Sequence, residues 1–191
     1  NKYGTGVAWN GITAISEKPE GAEATDLYAD NIQYLTLLSA EKLKATIEAY
    51  TYPDEFEQCD GSATLSKGVK IGQQDRKTFG LAYRTKIGDD VAGQDKGYKL
   101  HLIYGCKASP SEKGYKTVND SPEAITFSWD VSTTAVNVAG FKPTSLLTIN
   151  SLDVDAGKLK TLEEKLFGKE GAGAADPTLL LPDEVKAHFA G

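Results

Sequence analysis

The sequence predicts a mainly β protein: an antiparallel β-sandwich or barrel with one short flanking helix and a helical C-terminal extension. Three observations predict it. Apolar and polar residues alternate in several separate stretches, which is the period of a half-buried strand. Nineteen glycines are spread along 191 residues, which suits many turns between short strands. Beyond residue 152 the apolar spacing becomes that of a helix. Hydrophobic content of 40% is enough for a core. We therefore expect a β-sandwich domain with an N-terminal arm over 1–152 and a helical extension over 153–191.

The arm carries Gly4, Gly6 and Gly11 around Tyr3, Val7 and Trp9, and runs into a first strand at 7–12. Residues 16–25, with Pro19, Gly21 and several charges, read as a loop. A strand follows at 32–38. In 43–51, Leu43, Ala45, Ile47 and Ala49 face one side while Lys44, Thr46 and Glu48 face the other. Pro53 opens a short helix to Cys59, with Asp54 and Glu55 at its positive end and Gly61 to close it. The polar stretch 62–77 reads as a long excursion with a β element near 69–71. Strands are expected at 78–87, with Phe79, Leu81 and Tyr83 on one face, and at 98–106, with Tyr98, Leu100, Leu102, Tyr104 and Cys106 on one face. A polar turn at 89–97 joins them. After a loop at 109–119, the longest strand is expected at 124–138 and the last at 145–151. In the extension, Asp155 caps a helix over 157–167 with a Leu159, Leu162, Leu166 stripe, and Gly168 stops it. A small-residue linker at 169–175 leads to the apolar Leu179–Leu181 and a short helix from Pro182 with Val185 and Phe189. This tail cannot form a core alone, so it must dock on its own body or on a neighbour.

The net charge of −6 and two arginines, Arg76 and Arg84, argue against a nucleic-acid reader, which needs a basic face. An acidic wall does suit a conduit in which DNA must stay mobile. No apolar run is long enough to span a membrane, and no signal-peptide pattern opens the chain. The chain contains no methionine, so the true start is expected to lie upstream of Asn1. Cys59 and Cys106 leave two readings open, a disulfide or two reduced buried thiols, of which the second is expected.

No catalytic, cofactor-binding or metal-binding residue is assigned. His101 lies inside an alternating strand and His188 in the terminal helix, neither beside a Ser/His/Asp or Cys/His set. Asp89, Asp90 and Asp95 offer oxygens to calcium, but without the EF-hand spacing a solvated loop is the expectation. Gly4-Thr5-Gly6 and Gly171-Ala172-Gly173 lack the lysine of a phosphate loop. Trp129, between Phe127 and Val131, reads as core. Trp9 and the tyrosines leave room for a carbohydrate- or surface-binding module as the alternative function.

Several long segments, in order, carry a resemblance. They are 6–15 (GVAWNGITAI), 21–31 (GAEATDLYADN), 45–56 (ATIEAYTYPDEF) running on to Cys59-Asp60-Gly61, 79–85 (FGLAYRT), 100–105 (LHLIYG) and 125–129 (ITFSW). Together they span about Gly6 to Leu152 and resemble the major tail (tail-tube) proteins of long-tailed bacteriophages of Gram-positive hosts. The resemblance implies a structural virion protein and no enzyme. It implies hexameric rings of β-sandwich subunits, stacked into a tail tube that delivers DNA. The implied partners are copies of the chain, the tape-measure, tail-terminator and distal tail proteins, and transiently passing DNA. It implies a chain made in the host cytoplasm and located in the virion tail. Ring stacking needs reaching segments, for which the arm 1–5, the excursion 61–77 and the C-terminal tail are the candidates. The polar strand face Thr126/Ser128/Asp130/Ser132/Thr134 suits either a wetted lumen or the solvent side.

Overall fold

The computed structural model describes residues 2–91, 93–115, 124–171 and 173–190, with the backbone alone at Gln94. Asn1 of the arm, Ala92 of the 89–97 turn, 116–119 of the 109–119 loop, Ala172 and Gly191 lie outside the described residues. The protein is mainly β and antiparallel, as the alternation predicts. Its strands are β1 (Ile12–Glu20), β2 (Ala24–Ala29), β3 (Ile32–Leu38), β4 (Lys42–Ala49), β5 (Ala63–Ser66), β6 (Val69–Ile71), β7 (Phe79–Asp89), β8 (Gly93–Ala108), β9 (Phe127–Thr133), β10 (Val136–Val138), β11 (Phe141–Thr144) and β12 (Leu146–Asn150). A 3-10 helix, Asp54–Gln58, and two α-helices, α1 (Ala156–Phe167) and α2 (Pro182–Ala190), complete it.

One six-stranded sheet organises the body in the order β1-β4-β9-β8-β12, with β7 on the other edge of β8. Three small hairpins, β2–β3, β5–β6 and β10–β11, stand off it. The sixteen residues of β8 let two strands share one edge. β12 pairs with it over Lys99–Ile103 and β9 over Cys106–Ala108. The changeover falls at Gly105, whose φ is +60° and where an added Cβ would lie 2.2 Å from the Thr134 carbonyl oxygen. Opposite β7, the register steps from Leu81↔Ile103 to Phe79↔Cys106, so β8 carries one extra residue there. This is a β-bulge, and it exchanges the two faces of the strand.

That exchange corrects one expectation. Leu100, Leu102 and Tyr104 do share a face, but Cys106 lies on the other one with Ile103 and Ala108. Period-two counting holds only until the bulge. The result is two buried clusters. The inner one gathers Ala45, Ile47 and Ala49 of β4, Trp129 and Val131 of β9, Leu81, Ile103 and Cys106, with Phe56 of the 3-10 helix. The outer one sets Leu100, Leu102, Tyr104 and Ile149 of the sheet against Leu159, Leu162, Leu166 and Val185 of α1 and α2. Each of these leucines stabilises the fold by about 1.5–3 kcal/mol on full burial. The C-terminal tail therefore docks on its own body.

Local chemistry explains the ends of α1. Asp155 accepts a hydrogen bond from the Lys158 amide at 2.8 Å, and Gly168 follows the last turn with φ +84°. The 3-10 helix takes Pro53 as its cap.

Other expectations shift. The loop expected at 16–25 is the second half of β1 and the start of β2. Pro19 is tolerated because β1 is the edge strand of the sheet. The first strand starts at Ile12, and most of the expected 7–12 strand is arm. The turn expected at 89–97 narrows to the pairing Asp89↔Gly93. The strand expected at 124–138 splits into β9 and β10, because the Thr134 amide turns away to the Gly105 carbonyl at 3.0 Å. β8 is longer than either.

Candidate functional site

The β2–β3 hairpin extends the β1–β4 ladder, whose last pair is Glu20↔Lys42. Gly21 makes the joint: its φ is +92°, and a Cβ would stand 2.4 Å from the Ala40 carbonyl oxygen. The far turn is Asp30-Asn31, with φ of 52° and 62°, the two left-handed residues of a hairpin turn whose twist matches its strands. At about 3.3 Å per residue, the hairpin reaches roughly 20 Å beyond the body.

Its two faces differ. Pairings Thr25↔Leu37, Leu27↔Leu35 and Ala29↔Ile32 set Leu27, Ile32, Leu35 and Leu37 on one side. The other side bears Asp26, Gln33 and Thr36 between the exposed Tyr28 and Leu38. Gln33 Nε2 and Thr36 Oγ1 both donate to Asp26 Oδ1, at 2.8 and 2.5 Å. A bulge at Tyr34 keeps Gln33 on the polar side. Among the described residues nothing covers the apolar side: Ile32 is 64% exposed and Leu37 50%. A hairpin with one apolar face and no cover is an unfinished layer. The loop-plus-strand reading of this segment missed it. The signal was present in the alternation Thr25, Leu27, Ala29 followed by Asp30-Asn31.

Of the three segments expected to reach a neighbour, two are folded back on their own body. The arm is held by the Gly105 amide donating to the Tyr3 hydroxyl at 2.8 Å, the Gly6 amide donating to Pro177 at 2.7 Å and the Trp9 indole donating to Thr51 at 2.8 Å. The C-terminal tail packs as described. The excursion 61–77 does project, as the β5–β6 hairpin with Leu65 68% exposed, but its return is anchored at Asp60.

Asp60 is a buried hub that local motifs do not reveal. Its carboxylate accepts from the Trp129 indole at 3.1 Å and from Lys113 Nζ, and Arg76 approaches at 3.5 Å. Burial opposes the charge on Lys113, but the hydrogen bond to Asp60 and its negative charge outweigh that and hold the amine above its ordinary range. The hub ties the 3-10 helix, the excursion and the loop after β8 to the core.

His101 lies where side chains of β1 come up against β7 and β8. Its ring stacks on Tyr83 with centroids 4.8 Å apart, and Thr85 Oγ1 sits 2.9 Å from Nε2. Glu17 of β1 lies 3.2 Å from Nδ1, out of line for a hydrogen bond, and accepts instead from the Tyr83 hydroxyl. Burial, with that carboxylate, raises the Tyr83 phenol above its ordinary range. Side chains of β1, β7 and β8 thus meet, which local context around His101 gives no hint of. His188 ties α2 to α1, donating from Nε2 to the Lys158 carbonyl at 2.7 Å.

Cys59 and Cys106 are both buried and free, and burial raises both thiols, Cys106 to about 12. Both tryptophans serve the core: Trp129 is fully buried and Trp9 packs 5.5 Å from it, edge to face. Asp89 pairs with Lys96 at 2.7 Å and Asp95 faces Lys86 at 3.5 Å. Among the described residues no His, Cys, Asp and Glu side chains cluster in threes for a metal, and no helix is long and apolar enough to cross a membrane. Asp130 and Ser132 lie exposed on the outer face of β9, where Thr46 donates to Asp130 at 2.8 Å. No family model, curated protein or solved structure matches the chain.

Proposed function

We propose that this chain is a self-assembling structural subunit, the wall protein of a phage tail tube. In that reading, hexameric rings of it stack around a channel that conducts DNA. The observation that carries the reading is the β2–β3 hairpin. Leu27, Ile32, Leu35 and Leu37 form an apolar face that the chain leaves exposed beyond a body whose own two clusters are filled. A neighbouring copy supplies a cover, and cyclic closure satisfies free strand edges at the same time. The polar face, with Asp26 and no lysine or arginine between Gly21 and Glu41, suits a wall past which a polyanion slides. The weight therefore rests on this hairpin rather than on the arm or the tail.

Electron microscopy and sedimentation of the purified chain test it. Wild type should form rings or tubes. A variant in which residues 22–40 are replaced by a two-residue turn should remain folded, soluble and monomeric. Wild type that stays monomeric at every concentration, or normal tubes from the shortened variant, would overturn the reading.

A further inference from the structure

We propose that the hairpin's apolar face docks, in a second copy of the chain, into the groove between β12, the β10–β11 hairpin and α2. The inference rests on the self-assembly reading and deepens it by naming the receiving surface.

The groove encloses about 640 Å³. Phe141, Leu147, Val154 and Phe189 give it an apolar lining, and its charged residues are Lys142, Lys186 and one acid, Asp153, which leaves it net positive. Phe141 is 70% exposed, with Lys186 Nζ 5.1 Å from its ring centroid. One wall is β12, which pairs with β8 on one side and ends the sheet on the other. The groove therefore offers apolar surface, positive charge and a free strand edge together.

The hairpin offers the complement. At its joint and tip the hairpin carries Glu23, Asp30 and Glu41, all acidic, while Asp26 lies on the opposite, polar face. Its apolar face carries Leu27, Ile32, Leu35 and Leu37, and among the described residues β2 and β3 pair only with each other, so each keeps an outer edge. An added strand on β12 would gain ladder hydrogen bonds for affinity and side-chain pockets for register. Opposite charges on the two surfaces favour encounter and orientation. Another cleft, about 370 Å³ beneath the N-terminal arm, is a poorer receiver. The arm already lies over it, and its one charged lining residue, Glu55, is acidic. Within one chain the hairpin's apolar side chains and Phe141 are both left exposed, so the partner surface is another copy's.

Disulfide trapping between separately purified variants tests this. Leu35→Cys and Phe141→Cys both replace exposed side chains, and native Cys59 and Cys106 are buried, so the new thiols are the reactive ones. Mixing the two under mild oxidation should give several-fold more cross-linked dimer than either variant alone. Lys142→Glu with Lys186→Glu should weaken assembly roughly tenfold at low salt, through two lost ion-pair partners. Far-UV circular dichroism establishes that each variant is folded. Wild-type tubes without the mixed cross-link, or with assembly unaltered by the double charge reversal, would overturn this docking while leaving self-assembly standing. A wild-type chain that never assembles would overturn both.

Discussion

Replacing Asp60 should destabilise the fold more than any surface ion pair does, by an amount the geometry sets. Asp60 is 8% exposed and receives three cationic or N–H donors. Breaking a buried pair by removing one partner costs about 3–5 kcal/mol, because the partner's charge is left uncompensated. Here the cations keep some water: the Lys113 side chain is 26% exposed and that of Arg76 21%. Asp60→Asn retains an acceptor for the Trp129 indole, so its cost should be about 2–3 kcal/mol. Asp60→Ala also strands that indole N–H inside the inner cluster, adding about 1–2 kcal/mol. For a chain of this length, the Asn variant should melt roughly 4–12 °C lower. Urea unfolding followed by tryptophan fluorescence is the assay, since Trp129 touches the hub directly. The control is Asp54→Asn. Asp54 faces Lys70 at 3.7 Å with its side chain 92% exposed, and its loss should cost under about 0.5 kcal/mol. Equal stabilities for Asp60→Asn and Asp54→Asn would refute the account of Asp60 as the anchor of both loops.

Two more outcomes follow from the packing at Gly105 and around the buried thiols and phenols. Gly105→Ala should cost about 2 kcal/mol or more, measured as a fall in the urea midpoint, because φ +60° disfavours a side chain and the Cβ would meet the Thr134 carbonyl at 2.2 Å. Stability should fall as pH rises above about 9: burial raises Cys106 to about 12 and also raises Cys59, Tyr83 and Tyr104, so the unfolded chain releases protons that the folded one keeps. Each such group contributes fully below its unfolded-state value and loses its contribution as pH climbs to its folded-state value. Cys106 alone should account for about 1–2 kcal/mol by about pH 10.5, read from urea midpoints at pH 8 and pH 10.5. Unchanged midpoints would contradict the burial of these groups.

The strands that cover the inner cluster were legible because one face is buried and the other wet, which writes period two into the sequence. Leu43 to Ala49 and Phe79 to Tyr83 are of this kind. So was α1, whose leucines and Asp155 cap agree at every level. Illegible parts share a physical cause. In the β7–β8 tip and in the half of β1 and β2 read as a loop, the strands leave the body and charged residues look like loop, although β3 was legible at 32–38. Gly105 is the second kind of failure: a single bulge moves Cys106 to the opposite face, and no window of alternation can register it. The Asp60 hub and the Glu17–His101 contact are the third kind. Their members are separated by 69 residues at Trp129 and by 84 at His101, so proximity arises only when the chain folds.

The division between filled and unfilled surface says how assembly should proceed under the proposed function. Both clusters are completed by the chain's own elements, the inner one by Trp9 and the 3-10 helix and the outer one by α1 and α2. A body closed in this way needs no neighbour to fold. The β2–β3 hairpin differs, because an isolated two-stranded hairpin is marginally stable in water. Its ordering and its docking therefore share one free-energy gain, and the subunit stays soluble until enough copies meet to cover the leucine face. Amide hydrogen exchange separates the two components. In the monomer, 24–38 should exchange far faster than β4 or β8. In assembled protein the same amides should become protected while those of β4 and β8 stay as they were. Protection of 24–38 already complete in the monomer would show that the hairpin needs no neighbour, and would remove the driving force assigned to it.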